Sequence, residues 1–323
     1  MAPPCRAVVS WGMETEPVIA PEIAAAIADK KPVVALETTL IAHGLPYPRN
    51  VETWGTMKEA VRDEGAAPAT IGILDGRIHV GLSGAQIERL ARGGPDVLKV
   101  SRRDLGFAAS RGLDGGTTVA ATMICASMAG IPVMATGGIG GVHRGAETTM
   151  DVSADLEELA VTRVAVVCAG AKAILDLPKT LEYLETRGVP VAGFGTDAFP
   201  GFFIRDSGLD APCRLDTPEE AARLIGAHWS LPGAGGIVIA NPAPEDVALD
   251  RYVAEEAIAD ALRQAARENV TGKPLTPFLL DHLAKITGGD SLEANIALLH
   301  NNARLGARIA CAYAEYIRRN PAT

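Results

Sequence analysis

The sequence predicts an α/β protein, a three-layer α/β/α arrangement with a central mixed sheet and a helical C-terminal third. Three observations predict it. Short apolar runs alternate with helix-period segments as far as Asn241, the pattern of strands buried between helices. Two β-rich runs within residues 70–82 flank Asp75-Gly76, a tight-hairpin signal that puts an antiparallel pair into the sheet. Beyond Asn241 the sequence is helical in pattern to its end.

The elements follow in order. An alanine-rich helix over 21–29 precedes a strand over 32–37, PVVALE. After the hairpin, 98–100 is a short strand, 117–129 a buried helix and 132–135 a strand. The helix over 153–159 opens on Ser153 as N-cap, with acids in its first turn where the helix dipole favours them. Strands over 164–167 and 189–192 bracket a helix over 180–186. Thr217 caps a helix reaching Trp229, with Pro218 at its first position. A strand over 237–240 is followed by helices over 246–268, 275–285 and 291–319. No Gly/Ser linker, low-complexity run or internal repeat interrupts the chain. One domain over 17–319 is therefore expected, behind a loose leader, 1–16, in which Met13 is an alternative start.

Composition narrows the function. The chain has 323 residues, 48% of them hydrophobic, enough for a sizeable core. Asp and Glu number 39 against 30 Lys and Arg, a formal charge of −9. That balance argues against a nucleic acid polymer or an anionic membrane as partner. It leaves room for one small anionic ligand held by local cations. Aromatic residues are 4% of the chain, so no base-stacking platform is apparent. No apolar stretch approaches the ~20 residues of a membrane span, and the first residues lack a secretory-signal pattern. The five cysteines are dispersed, without a CxxC pair or zinc spacing, which fits a reducing cytoplasm. No GxxxxGK[ST] motif supports a P-loop hydrolase.

Ligands in open α/β sheets sit beyond the carboxyl ends of the strands, and several polar residues fall there. Glu37 closes PVVALE, Lys99 lies in LKV, Thr136-Gly137-Gly138 follows PVMA, and Lys172 follows VAVVCAG. Each admits two readings. Glu37 is a general acid/base if its surroundings raise its pKa, or an ion-pair partner of Arg102 or Arg103. Lys172, flanked by alanines, is a desolvated nucleophile with Lys99 as a second nearby cation, or a surface lysine with its head in water. Asp151 is a hard oxygen donor for Mg²⁺ or Mn²⁺, or it and Asp155 satisfy the start of the helix at Ser153, where backbone N–H groups also suit a phosphate. His43 and His143 sit in Gly-containing loops, in reach of a substrate or simply solvated. Asn295, Asn301 and Asn302 on the last helix cap or pair with backbone, and Met123, Met128 and Met134 belong to the core.

The stretches LETTLIAHGLPYPRN (36–50), KVSRRDL (99–105), TTVAATMICASMAGIPVMATGGIGGVHRGAETTMDVSADLEEL (117–159), VVCAGAKAILDLPKTLEYLETRGVPV (166–191), FGTDAFPGFF (194–203) and ANIALLHNNARLGARIA (294–310) resemble the pseudouridine-5′-phosphate glycosidases in order and spacing. The resemblance covers residues 17 to 318 and leaves the leader outside. It implies an α/β/α core, a homotrimer, a divalent metal, typically Mn²⁺, and reversible cleavage of the C–C glycosidic bond of pseudouridine 5′-phosphate to uracil and ribose 5-phosphate. Position by position, it implies Lys172 as nucleophile, Glu37 as proton donor and Asp151 as metal ligand. Lys99, Val119, Ser153, Ala154 and Asp155 match substrate-binding positions, and His143 and Asn295 match positions of the pocket. Thr38 stands where the family often has Ser, and both carry a hydroxyl.

Those residue types suit the chemistry. Carbon is a poor leaving group, so the paired-carboxylate route of ordinary glycosidases is insufficient. A lysine amine offers a Schiff-base path instead. Two alternatives stand beside it: another Schiff-base lyase of sugar phosphates, and a non-catalytic binding protein of nucleoside or pigment metabolism.

Overall fold

A computed structural model describes residues 16–270, 272 and 275–320. The expected leader lies, but for Glu16, outside the described residues. In chain order the strands are β1 (Val18–Ile19), β2 (Val33–Leu36), β3 (Ala67–Leu74), β4 (Arg77–Val80), β5 (Leu98–Val100), β6 (Gly115–Thr117), β7 (Val133–Ala135), β8 (Ala165–Cys168), β9 (Val191–Phe194), β10 (Cys213–Leu215) and β11 (Ile237–Ala240). The helices are α1 (Pro21–Ala28), α2 (Arg49–Asp63), α3 (Gly84–Arg92), α4 (Asp104–Arg111), α5 (Val119–Met128), α6 (Ala146–Thr149), α7 (Ala154–Leu159), α8 (Leu177–Thr186), α9 (Pro218–Trp229), α10 (Arg251–Arg267), α11 (Leu275–Ile286) and α12 (Asp290–Arg319).

The strands run β1-β4-β3-β2-β7-β8-β11-β9-β10. From β2 to β10 every pairing is parallel; β2, β7, β8, β11 and β9 are apolar along nearly their whole length, as burial on both faces demands, whereas the edge strand β10 exposes Cys213 and Arg214. The mixed character comes from β3. Its first half pairs with β2 in parallel, while Gly72 and Ile73 pair with β6 antiparallel. Its other edge holds β4 through the expected hairpin. Asp75 and Gly76 both have positive φ, 51° and 75°, the signature of a type I′ turn. The sheet thus splits where β3 leaves β2 for β6, just beyond the carboxyl end of β2.

One cluster of buried side chains extends from Ile23 to Tyr313. Helix α12 lies over β2, β7 and β8, with α2 and α9 alongside. Asn295, Leu299, Asn302 and Gly306 follow one another on the face toward the sheet, at the spacing of a single helical stripe. Gly306 sets the approach: a Cβ there would stand 3.2 Å from the Ala135 Cβ. On the opposite face α5 and α7 pack on each other and α5 on β2 and β3.

The predicted order of elements holds, with shifts. Helix α10 begins at Arg251, because Asp250 rather than Asp246 accepts the amides of Tyr252 and Val253. Helix α8 begins earlier than expected, at Leu177, because Asp176 caps it through Lys179 N–H. The strand expected at 189–192 is centred two residues later. Helices α2, α3, α4 and α6 and strands β1, β6 and β10 add to the expected set. Met123 and Met134 are core, whereas Met128, at the end of α5, is 46% exposed.

Gly170 closes the turn that follows β8. It has φ of 78°, and a Cβ there would collide with the Pro200 carbonyl oxygen. Gly170→Ala should lower stability by more than about 2 kcal/mol in urea denaturation. A loss within about 0.5 kcal/mol would show that the turn has room to rearrange.

Candidate active site

A cavity of about 800 Å³ opens at the split in the sheet, beyond the carboxyl ends of β2, β7 and β8. These strands are neighbours, with Leu36, Ala135 and Val167 level in register. The residues that follow them therefore emerge side by side. All ten residues singled out by the resemblance line this one cavity.

Glu37 is the first residue after β2 and is buried. The Thr136 hydroxyl, one residue past β7, donates to its Oε1. Burial pushes the Glu37 pKa up from 4.5. Lys172 opposes that rise, as do the Thr136 hydrogen bond and Lys99, while Asp155 adds to it. The ion pair with Arg102 or Arg103 does not form. Arg102 reaches Glu158 at 3.2 Å and Arg103 reaches Asp104 at 3.7 Å, because the turn after β5 directs both to neighbouring acids.

Lys172 follows β8 across the turn at Gly170. Its N–H donates to Ile139 O at 3.2 Å, which ties this loop to the one after β7. Its Nζ donates to Gly138 O at 2.8 Å. The side-chain nitrogen is thus turned toward the cavity that Glu37 and Asp151 line, and not out to the surface.

The opposite wall is polar and cationic. Lys99 lies in β5, and Val119 is the first residue of α5, capped by the Thr118 hydroxyl. Ser153 caps α7, its hydroxyl accepting Asp155 N–H at 3.3 Å, and Ala154 opens that helix. The Asp155 carboxylate serves other elements. It accepts Ala120 N–H at 2.9 Å and Gly140 N–H at 2.8 Å. One carboxylate thereby joins the start of α5 to the glycine loop after β7. The amides of Ala120, Gly140, Ser153 and Asp155 are thereby engaged within the protein, that of Ser153 by Gly141 O.

His143 Nδ1 stands 3.9 Å from Asp151 Oδ2, and His143 N–H donates to Asp151 O at 3.0 Å. Burial lowers the His143 pKa below 6.5; Asp151 resists, and Lys172 and Lys99 add to the lowering. The imidazole is therefore neutral near pH 7. His43 is likewise held low by burial and then by Lys99, and also lines the cavity. Among the described residues no three His, Cys, Asp or Glu side chains gather as metal ligands. Asp151 stands on the wall as a partly exposed carboxylate.

Asn295 and Leu299 of α12 line the remaining side with Leu280 of α11 and Phe202. Phe202 and Leu280 escaped the sequence reading. Phe202 adopts φ of 62°, its N–H fixed on Ala169 O at 2.7 Å, and strain of this kind gathers at functional sites. The stretch FPGFF offered a turn signal but no hint of which ring faces the ligand.

The family model described as indigoidine synthase A like protein matches residues 22–312. A pseudouridine-5′-phosphate glycosidase of Rhodospirillum centenum is 64% identical over 296 residues, 92% of this chain and 92% of its own length. One of Hahella chejuensis is 57% identical over 295 residues, 91% of this chain and 97% of its own. Among solved structures, the prealnumycin C-glycosynthase AlnA in complex with ribulose 5-phosphate is similar at TM-score 0.88 and 41% identity, with 95% of this chain and 99% of that one covered. An indigoidine synthase A-like protein of Thermotoga maritima gives TM-score 0.85 at 36% identity, with 93% and 97% covered.

The raised Glu37 pKa carries a stability consequence. A carboxyl that holds its proton more tightly when folded contributes stability below its unfolded value of 4.5. That contribution is lost as pH rises through the folded value. Glu37→Gln should therefore raise Tm over wild type at pH 8, by about 2 °C for each kcal/mol recovered, and the gain should shrink toward pH 4.5. A Tm difference that stays flat across this range in thermal scans would contradict the assignment.

Proposed function

Because the chain belongs to the indigoidine synthase A-like family, we propose that it cleaves, reversibly, the C–C glycosidic bond of pseudouridine 5′-phosphate, giving uracil and ribose 5-phosphate. One observation carries the proposal. A lysine amine and a buried carboxyl with a raised pKa share a cavity, hydrogen-bonded to residues two apart on one loop: Lys172 to Gly138 and Glu37 to Thr136. The names of the glycosidase relatives and the ribulose 5-phosphate bound by the C-glycosynthase relative support the substrate class.

In this reading the phosphate lies against Lys99, Val119 and the run Ser153-Ala154-Asp155. Glu37 gives its proton to the ring oxygen as the bond from that oxygen to C1′ breaks, the bonding pair staying on oxygen. The Lys172 amine, through the form that has a free lone pair, makes a bond to C1′. Its surplus proton returns to Glu37 and passes to C5 of the base. The C1′–C5 bond breaks with its pair on C5, and the nitrogen lone pair closes a C=N bond to C1′. Water then hydrolyses the imine, freeing ribose 5-phosphate and the amine. Neutral His143 and Asn295 are the polar contacts that orient the sugar and base. Asp151 is a hard, single carboxylate donor, which fits Mn²⁺ or Mg²⁺ keeping most of its water shell. Such an ion would supply positive charge at the phosphate end. A second reading, a Schiff-base lyase of another sugar phosphate, draws on the ribulose 5-phosphate of the C-glycosynthase relative.

With Mn²⁺ present, the chain should release uracil from pseudouridine 5′-phosphate, followed by ultraviolet absorbance, and leave uridine 5′-phosphate intact. Borohydride with ribose 5-phosphate should add the sugar mass to the peptide holding Lys172. Glu37→Gln should slow kcat at least about 100-fold. Label elsewhere, or none in an active enzyme, would remove the covalent step. Cleavage of other sugar phosphates without uracil release would favour the lyase.

The proposal includes a homotrimer working in the cytoplasm. Sedimentation equilibrium should give three times the chain mass, and a monomer at micromolar concentration would remove that part.

A further inference from the structure

Asn302 of α12 is fully buried and lies outside the cavity lining. Its Nδ2 donates to Thr136 O at 2.8 Å and to Gly137 O at 3.3 Å. Its Oδ1 accepts from Asn241 Nδ2 at 3.0 Å, which fixes which end of the amide faces the carbonyls. Asn241, the first residue after β11, in turn donates its N–H to Cys168 O at 2.7 Å. Gly137 O also accepts Ala169 N–H at 2.8 Å. One side-chain amide thus ties together the carboxyl ends of β7, β8 and β11.

What hangs from the tied loop is the reacting pair. The Thr136 hydroxyl donates to Glu37, and the Gly138 carbonyl accepts from Lys172 Nζ at 2.8 Å. Asn302 grips Thr136 and Gly137, so three consecutive residues carry the grip and both hydrogen bonds of the pair. An apolar residue at 302 would fill the same space, yet leave the Thr136 carbonyl unpaired in a dry interior, which costs about 1–3 kcal/mol and invites the loop to turn.

We propose that Asn302, oriented by Asn241, is a positioning residue for the reaction: it fixes the Thr136–Gly138 backbone and so sets Glu37 against Lys172. The proposal rests on the glycosidase reading above. It differs from a purely structural brace in one respect. Loosening the loop weakens the Thr136–Glu37 hydrogen bond, which opposes the burial-driven rise of the Glu37 pKa, so the pH at which Glu37 loses its proton must move upward.

The test compares wild type, Asn302→Ala, Asn241→Ala and Gly226→Ala, each as the full chain with Mn²⁺ and pseudouridine 5′-phosphate. Gly226 is remote from the cavity, and a Cβ there would press on the Tyr316 ring, so its alanine variant supplies instability alone. Asn302→Ala should lower kcat at least tenfold with KM within threefold, and move the alkaline limb of the kcat profile to higher pH. Asn241→Ala should do the same to a smaller degree, and decides the matter alone if Asn302→Ala does not fold. Gly226→Ala should lose Tm while keeping kcat and the limb. Either asparagine variant with kcat within twofold of wild type, or with a lowered kcat and an unmoved limb, overturns the proposal. A wild-type chain that releases no uracil overturns the glycosidase reading instead. Positioning is then read without turnover: the Tm gain from Glu37→Gln at pH 8 should be larger on the Asn241→Ala background than on wild type, and equal gains overturn it.

Discussion

The site depends on the register of three neighbouring parallel strands. Leu36, Ala135 and Val167 stand level across β2, β7 and β8. Because β2 and β7 stop at one level and β8 only one residue beyond, Glu37, Thr136 and the loop carrying Lys172 leave the sheet close together. A slip of one residue in β7 would turn its apolar side chains to the wrong face and withdraw Thr136 from Glu37. The split of β3 between β2 and β6 supplies the space into which these residues emerge. Fold and site are therefore one constraint, set by which apolar residues of short strands face α12 and which face α5.

The electrostatics add a second layer. Burial pushes the Glu37 pKa up from its ordinary value. Lys172, the Thr136 hydrogen bond and Lys99 each favour the charged form and oppose that rise. Burial lowers the His143 pKa, and Lys172 and Lys99 add to that lowering. Asp155 would be a third competing acid, yet its two oxygens are taken by the amides of Ala120 and Gly140.

Much of this was legible in the sequence, for identifiable reasons. An acid closing an apolar run, as Glu37 closes PVVALE, has few places to be except a strand end. Lys172 was legible for the same reason, although its direction was not, since that depends on the Gly138 carbonyl from another loop. The fate of Arg102 was invisible because Glu158 is far along the chain. Helix α2 was missed because its buried face is built from Asn50, Thr53, Met57, Ala60 and Val61, which blurs the apolar period. Helix α3 was overlooked although Ser83 and Gln86 spell out its capping box. Asn302 was read as a backbone partner, as it is, but which backbone it meets lies 166 residues away.

That separation has a consequence for how the molecule is made. The strands bearing Glu37, Thr136 and Lys172 leave the ribosome well before α12, whose Asn295 and Leu299 complete the wall and whose Asn302 grips the loop. Contacts so far apart form late and slowly. A nascent chain therefore carries Lys172 and Glu37 without a finished enclosure around them until the thirty-residue α12 has been made and has packed on the loop.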